Sequence, residues 1–160
     1  MRSVFLRQQQ MKTSEIDLAF PVIGFTVDED VWGFRDLRGL TTCGRRTLKK
    51  GMQDGMELVD SQGARWRVSG IEKLGPSGPW WAWLIGQPLY RIAQEVEPLP
   101  PLSLAEIQDR VCAAMLAHPL FWCVEEDQDT EIAVRTAELR AVTSVADFLD
   151  ILGLDTFENF

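Results

Sequence analysis

At Pro98-Leu99-Pro100-Pro101 the chain changes its hydrophobic period. Upstream, apolar residues alternate with polar ones, as in strands with one buried face. Downstream they recur three and four apart, as on one side of a helix. Three prolines in four residues make this stretch a boundary, because proline offers no amide to a ladder or a helix. A chain divided in this way is expected to be α+β. We expect an N-terminal antiparallel sheet, curled as a partial barrel and carrying a short helix, followed by about three C-terminal helices. A length of 160 residues suits one compact domain. The expected divisions are a disordered N-terminus over 1–15, a β-rich subregion over 16–97, the Pro-rich connection at 98–102 and an acidic helical subregion over 103–160.

The strongest strand signal is Met56-Glu57-Leu58-Val59-Asp60 with Ala64-Arg65-Trp66-Arg67-Val68, around Ser61-Gln62-Gly63. Ala64, Trp66 and Val68 alternate with Arg65 and Arg67, which predicts a hairpin with one buried and one basic, wet face. Ile71 to Leu74 prolongs its second arm. The run Ala19 to Phe25, limited by Pro21 and Gly24, reads as a short or edge strand. Gly75-Pro76-Ser77-Gly78-Pro79 reads as a breaker. Trp80 to Ile85 then reads as a buried strand, and Leu89 to Val96 as another. Thr41 or Thr42 is expected to cap a short helix through Arg45, Arg46, Leu48 and Lys49, ended by Gly51.

Beyond the prolines, Ser103 and Glu106 have the spacing of a capping box. Leu104, Ile107, Val111 and Met115 share a helical face that stops at His118-Pro119. Asp129 or Thr130 is expected to start a second helix with Ile132, Leu139 and Val142 inward. Ser144 starts a third, with Val145, Phe148, Leu149 and Leu152 inward and Gly153 as its stop.

Charge divides at the same boundary. Residues 101–160 hold twelve acids against Arg110, Arg135 and Arg140, whereas residues 1–100 are close to neutral with thirteen bases and twelve acids. An acidic third of this kind repels nucleic acid and attracts basic partners. The most apolar run, Trp80 to Ile85, is far too short to span a membrane, so neither a nucleic acid nor a membrane is expected as partner. Met1 to Arg7 lacks the pattern of a secretion signal, and Met11 reads as a second start. Cys43, Cys112 and Cys123 are odd in number and without CxxC spacing, which fits free thiols in a reducing cytoplasm.

No catalytic motif emerges. The single histidine, His118, sits six residues after Cys112, off its helix face, and reads as a capping or buried residue. Asp28-Glu29-Asp30 and Glu125-Glu126-Asp127-Gln128-Asp129 are oxygen-rich, but the second run lacks the central glycine of a calcium loop and reads as a solvated loop. No metal and no cofactor is expected. The basic segment Gly44 to Gly51 is expected to answer the acidic third inside the fold. Trp80, Trp81 and Trp83 are expected to place one strand face in the core and to expose the other.

The runs Val31-Trp32-Gly33-Phe34, Leu40-Thr41-Thr42-Cys43-Gly44 and Gly55 to Val68 resemble a family of short, uncharacterised bacterial proteins. The resemblance covers about residues 20–155 and implies no activity. In size, acidity and lack of catalytic motifs the chain is similar in kind to the immunity proteins that neutralise bacterial toxins, a likeness that transfers no site.

The expected function is therefore that of a non-enzymatic, acidic, cytoplasmic binding protein. It would act as an immunity-type inhibitor docked on a basic protein such as a nuclease toxin. The expected docking residues are Glu125, Glu126, Asp127, Asp129 and Glu131, with Trp122 as aromatic anchor. Two alternatives stand beside it: a structural or regulatory homodimer joined through a tryptophan-rich sheet, and a metal-dependent enzyme with a carboxylate site at Asp28, Asp30 or Glu57.

Overall fold

A computed structural model describes residues 10–123 and 127–154. Among these residues the elements run β1 (Met11–Lys12), a 3-10 turn (Thr13–Glu15), β2 (Val22–Phe25), β3 (Val31–Phe34), α1 (Leu37–Leu40), β4 (Thr42–Gly44), α2 (Arg45–Lys50), β5 (Glu57–Val59), β6 (Arg65–Ser77), α3 (Trp80–Leu84) and β7 (Leu89–Leu99). Four helices follow: α4 (Leu104–Ala117), α5 (Pro119–Trp122), α6 (Gln128–Ala141) and α7 (Val145–Leu152). The strands form one antiparallel sheet in the order β1-β7-β6-β5-β2-β3, with β4 also on β7. The protein is α+β, and the sheet curls without closing into a barrel.

Strand alternation builds two cores. Ile23, Phe25, Val31 and Val59 lie under α4, α5, α6 and α7, together with Ile107, Val111, Met115, Leu139, Phe148 and Leu149. Val22, Trp32, Phe34, Leu58 and Val68 point the other way and pack with Leu40, Met56 and Val96 in the hollow of the sheet. Fully burying side chains of this size contributes about 1.5–3 kcal/mol each, so both faces of β2 and β3 are committed. Gly33 permits the close approach of β3 to α7 and the residue beyond its cap, since a Cβ there would lie 3.0 Å from Leu149 Cγ and 2.8 Å from Leu154 Cβ.

The local signals behave as expected where local chemistry decides. Ser103 and Glu106 cap each other's amides, at 3.2 and 2.7 Å. Gly153 ends α7 in the left-handed conformation, φ 61°, and Gly51 ends α2 at φ 60°. The hairpin pairs Glu57 with Arg67, Leu58 with Trp66 and Val59 with Arg65. Asp60 shapes its turn. Its buried carboxylate accepts hydrogen bonds from the amides of Gln62 and Ala64, at 2.9 and 3.0 Å, and from Ala19 at 3.2 Å.

Four expectations are corrected. Trp80 to Leu84 is a helix, not a buried strand. Strands β6 and β7 pair through Ser77 and Leu89, so the eleven residues between them must return to a neighbouring strand. An extended run of six residues would travel about 20 Å, whereas five helical residues rise only about 7 Å. Gly75-Pro76 does not break β6 but lies within it, beside a bulge between Lys73 and Gly75. There β6 has left β5 behind, and an edge or bulge tolerates proline. The cap of α2 is Gly44, because Thr42 belongs to β4. β2 is the short strand expected, four residues long, and it lies in the interior between β5 and β3 because Pro21 falls before it and costs no ladder bond. Residues 11–15 are built into the fold: Met11 pairs with Val96 of β7, and Thr13 is buried.

Thr13 is buried because of Gln94. That side chain is fully enclosed. It donates to the Leu40 carbonyl at 2.9 Å and to Gln53 Oε1 at 2.8 Å, and accepts from the Thr13 hydroxyl at 3.0 Å. One glutamine thereby ties the N-terminal turn, α1 and the segment after α2 to β7.

Candidate functional site: a basic, aromatic end

The predicted docking residues do not form one exposed surface. Trp122 is buried, packed edge-on against Phe121 at 4.9 Å between centroids, so it is no anchor for a partner. Glu125 and Glu126 lie outside the described residues. Asp127 is the N-cap of α6. Its carboxylate accepts from the Thr130 hydroxyl at 2.7 Å and amide at 3.2 Å, and these bonds hold its pKa below the usual carboxylate value. Glu131 accepts from Arg135 one turn on. Asp129 is exposed at the start of α6 and, like Glu138 further along, joins no ion pair among the described residues.

Two of the three carboxylates considered for a metal, Glu57 and Asp30, are engaged by basic side chains. Glu57 is held by three guanidiniums, from Arg110 at 2.6 Å, Arg65 at 3.3 Å and Arg67 at 3.5 Å. Burial alone would raise its pKa, but the hydrogen bond and charge of Arg110, with Arg65 and Arg67, bring it below the ordinary value. A carboxylate so surrounded presents a field that repels a cation. Asp28 and Asp30 face His118, whose Nε2 lies 2.9 Å from the Asp28 carbonyl and 3.6 Å from the Asp30 carboxylate. His118 thus pins the β2–β3 loop and faces no cysteine. Among the described residues no group of three or more His, Cys, Asp or Glu is placed to hold a metal ion.

The exposed chemistry lies elsewhere. At the turn of the β6–β7 hairpin, Trp80 is 74% exposed, Trp81 53%, Leu84 75% and Ile85 61%. A short helix can turn only part of its surface inward. Here Ala82 faces in, and Trp83 meets Tyr90 edge to face at 5.3 Å. These contacts seat α3 and leave its largest side chains in water. The expectation of half-core tryptophans is thus reversed, because the run is helical and lies at a hairpin tip.

Two arginines border this segment. Arg45 and Arg46 share with Trp81, Pro88 and Leu89 the walls of an open cleft of about 530 Å³. Lys73 lies 4.1 Å from the centroid of the Tyr90 ring, a cation–π contact, and Arg91 follows Tyr90. The stretches Leu37 to Gln53 and Lys73 to Gln94, which supply the cleft residues, contain no Asp or Glu, although Asp36, Asp54, Glu72 and Glu95 bound them. They carry Arg38, Arg45, Arg46, Lys49, Lys50, Lys73 and Arg91. None of the seven joins an ion pair among the described residues. Among the described residues, the expected pairing of the basic segment with the acidic third is therefore absent. The acids of the helices answer other bases: Asp109 pairs with Arg140 and Asp150 with Arg35.

The absence of acids from both segments is visible in the sequence, and it is the signal that could have located this end. A charge sum over residues 1–100 hides it, because the compensating acids lie outside these stretches along the chain.

No family model matches the chain, and comparison with curated proteins and with solved structures gives no match.

Proposed function

We propose that this chain is a non-enzymatic binding protein that docks through its basic, aromatic end. One observation carries the reading: Trp80, Trp81, Leu84 and Ile85 stand exposed on one short segment, and Trp81 borders a cleft with Arg45 and Arg46, which have no carboxylate partner among the described residues. Clustered apolar side chains in water mark interaction surfaces, and tryptophan and arginine are the residues most often found at their centres. In a chain of net charge -8, a local concentration of positive charge orients encounters with an acidic surface.

A second reading keeps the acidic face. Asp129 and Glu138 are exposed on α6 without an ion-pair partner among the described residues, which suits a basic protein such as a nuclease toxin. It would make the chain an immunity-type inhibitor.

Chemical crosslinking in source cells separates the two. The double variant Trp80→Ser/Leu84→Ser is expected to lose the adducts of the wild type, and Asp129→Lys/Glu138→Lys to keep them. The opposite pattern would replace the first reading with the second.

A further inference from the structure

We infer that the partner of the basic, aromatic end is an anionic lipid surface. The inference rests on the docking reading above and names its partner. The exposed side chains are of the kind that settles at a bilayer boundary. Tryptophan favours the headgroup level, and Leu84 and Ile85, the former 75% exposed, offer apolar surface for the acyl boundary just beneath it. They sit on a hairpin turn, where a few side chains can enter an interface while the sheet stays outside.

The charge arrangement matches. Arg45 and Arg46 line the cleft against Trp81, and Lys49 and Lys50 follow on the same short helix. Each Lys or Arg near an anionic bilayer strengthens attachment by about fivefold. None of the chain's 24 acids lies in the two stretches that supply this end, although Asp54 packs against Gly51 just beyond α2. Their repulsion fades over a Debye length of about 8–10 Å in ordinary salt, so an acidic protein can still approach by this end.

Alternative partners fit less well. A single-stranded nucleic acid would use the tryptophan faces for stacking but leave Leu84 and Ile85 in water. An acidic protein would need an apolar hollow to receive them. The expectation that a membrane is no partner came from the length of the apolar run, and that length bears on spanning alone. Among the described residues no helix is long and apolar enough to cross a membrane, and interfacial docking needs none.

The test is co-sedimentation of the whole chain with vesicles of phosphatidylcholine alone, and with vesicles also containing phosphatidylglycerol. Binding is expected only to the anionic vesicles. It should weaken with salt and carry a blue shift of tryptophan emission. Arg45→Glu/Arg46→Glu is expected to lower it by about a hundredfold or more. Trp80→Ser/Leu84→Ser should abolish the blue shift while the variant remains folded by circular dichroism. Absence of binding to anionic vesicles at low salt overturns the lipid assignment. So does preferential binding to a single-stranded oligonucleotide, or a protein adduct at this end without vesicle binding, but both leave the docking surface in place. Failure of vesicles together with adducts confined to the acidic face would overturn the docking reading itself.

Discussion

Arg110 of α4 donates a 2.6 Å hydrogen bond to the Glu57 carboxylate of β5, and its guanidinium stacks 4.2 Å from the centroid of the Phe25 ring of β2. This contact joins the helical layer to the sheet. Arg65 and Arg67 approach the same carboxylate from β6, so one acid answers three bases at the seam. Removing it would leave those charges uncompensated at a partly buried position. Arg67 is half exposed and can rehydrate, which places the cost below that of a fully buried pair.

Glu57→Gln is therefore expected to lose about 2 kcal/mol at neutral pH, from the cost of breaking a buried pair discounted for exposure. The pH dependence follows from the depressed pKa of Glu57. Its stabilisation is fully present above the unfolded value of about 4.3 and is lost as pH falls through the lower folded value. Urea midpoints measured from pH 7 to pH 3 should converge for wild type and variant at the acid end. A constant gap down to pH 3 would show that the carboxylate charge is not what Glu57 contributes.

Gln94→Leu should cost about 2–4 kcal/mol despite adding apolar surface. The substitution takes a partner from Thr13, the Leu40 carbonyl and Gln53 inside the hollow of the sheet, and each unsatisfied buried group costs about 1–3 kcal/mol. Hydrogen exchange should show loosening around Met11 to Thr13 before global unfolding. An unchanged midpoint in denaturant would mean that water replaces the side chain freely.

Cys43, Cys112 and Cys123 are all buried and free. Burial pushes the Cys43 thiol up to about 11, so little of it is thiolate at neutral pH. A thiol reagent at pH 8 should modify the native protein only slowly, at the rate of opening, and react promptly in denaturant. Fast modification of Cys43 in the native state would contradict its enclosure beneath α2.

Much of the fold is legible in the sequence where neighbours along the chain decide it. The capping box at Ser103 and Glu106, the inward face of α4 and the whole of α7 with its Gly153 stop depend on residues within a few positions of one another. Trp80 to Ile85 is different. Nothing in its composition chooses helix over strand, and the choice follows from the distant pairing of Ser77 with Leu89. Gln94 lies between these cases. It occupies the inward phase of Tyr90, Ile92 and Val96, so the alternation marks it as an anomaly, but its partners come from remote segments.

The candidate site was less legible for two reasons. The expected acidic docking residues are read from charge along the chain, and the fold spends Asp127 on a cap and Glu131 on Arg135. The basic end is assembled from α2 and the β6–β7 turn, some thirty residues apart in sequence. Only the antiparallel register of β4 with β7, which pairs Gly44 with Leu89, brings them together.

Site-specific photo-crosslinking in cells tests the central claim most directly. A photoreactive amino acid placed at position 84, at the tip of the hairpin, reports on the basic, aromatic end, and one at position 138 reports on the acidic face of α6. Adducts are expected from position 84, disappearing in the Arg45→Glu/Arg46→Glu background, and none from position 138. Adducts from position 138 with none from position 84 would contradict it.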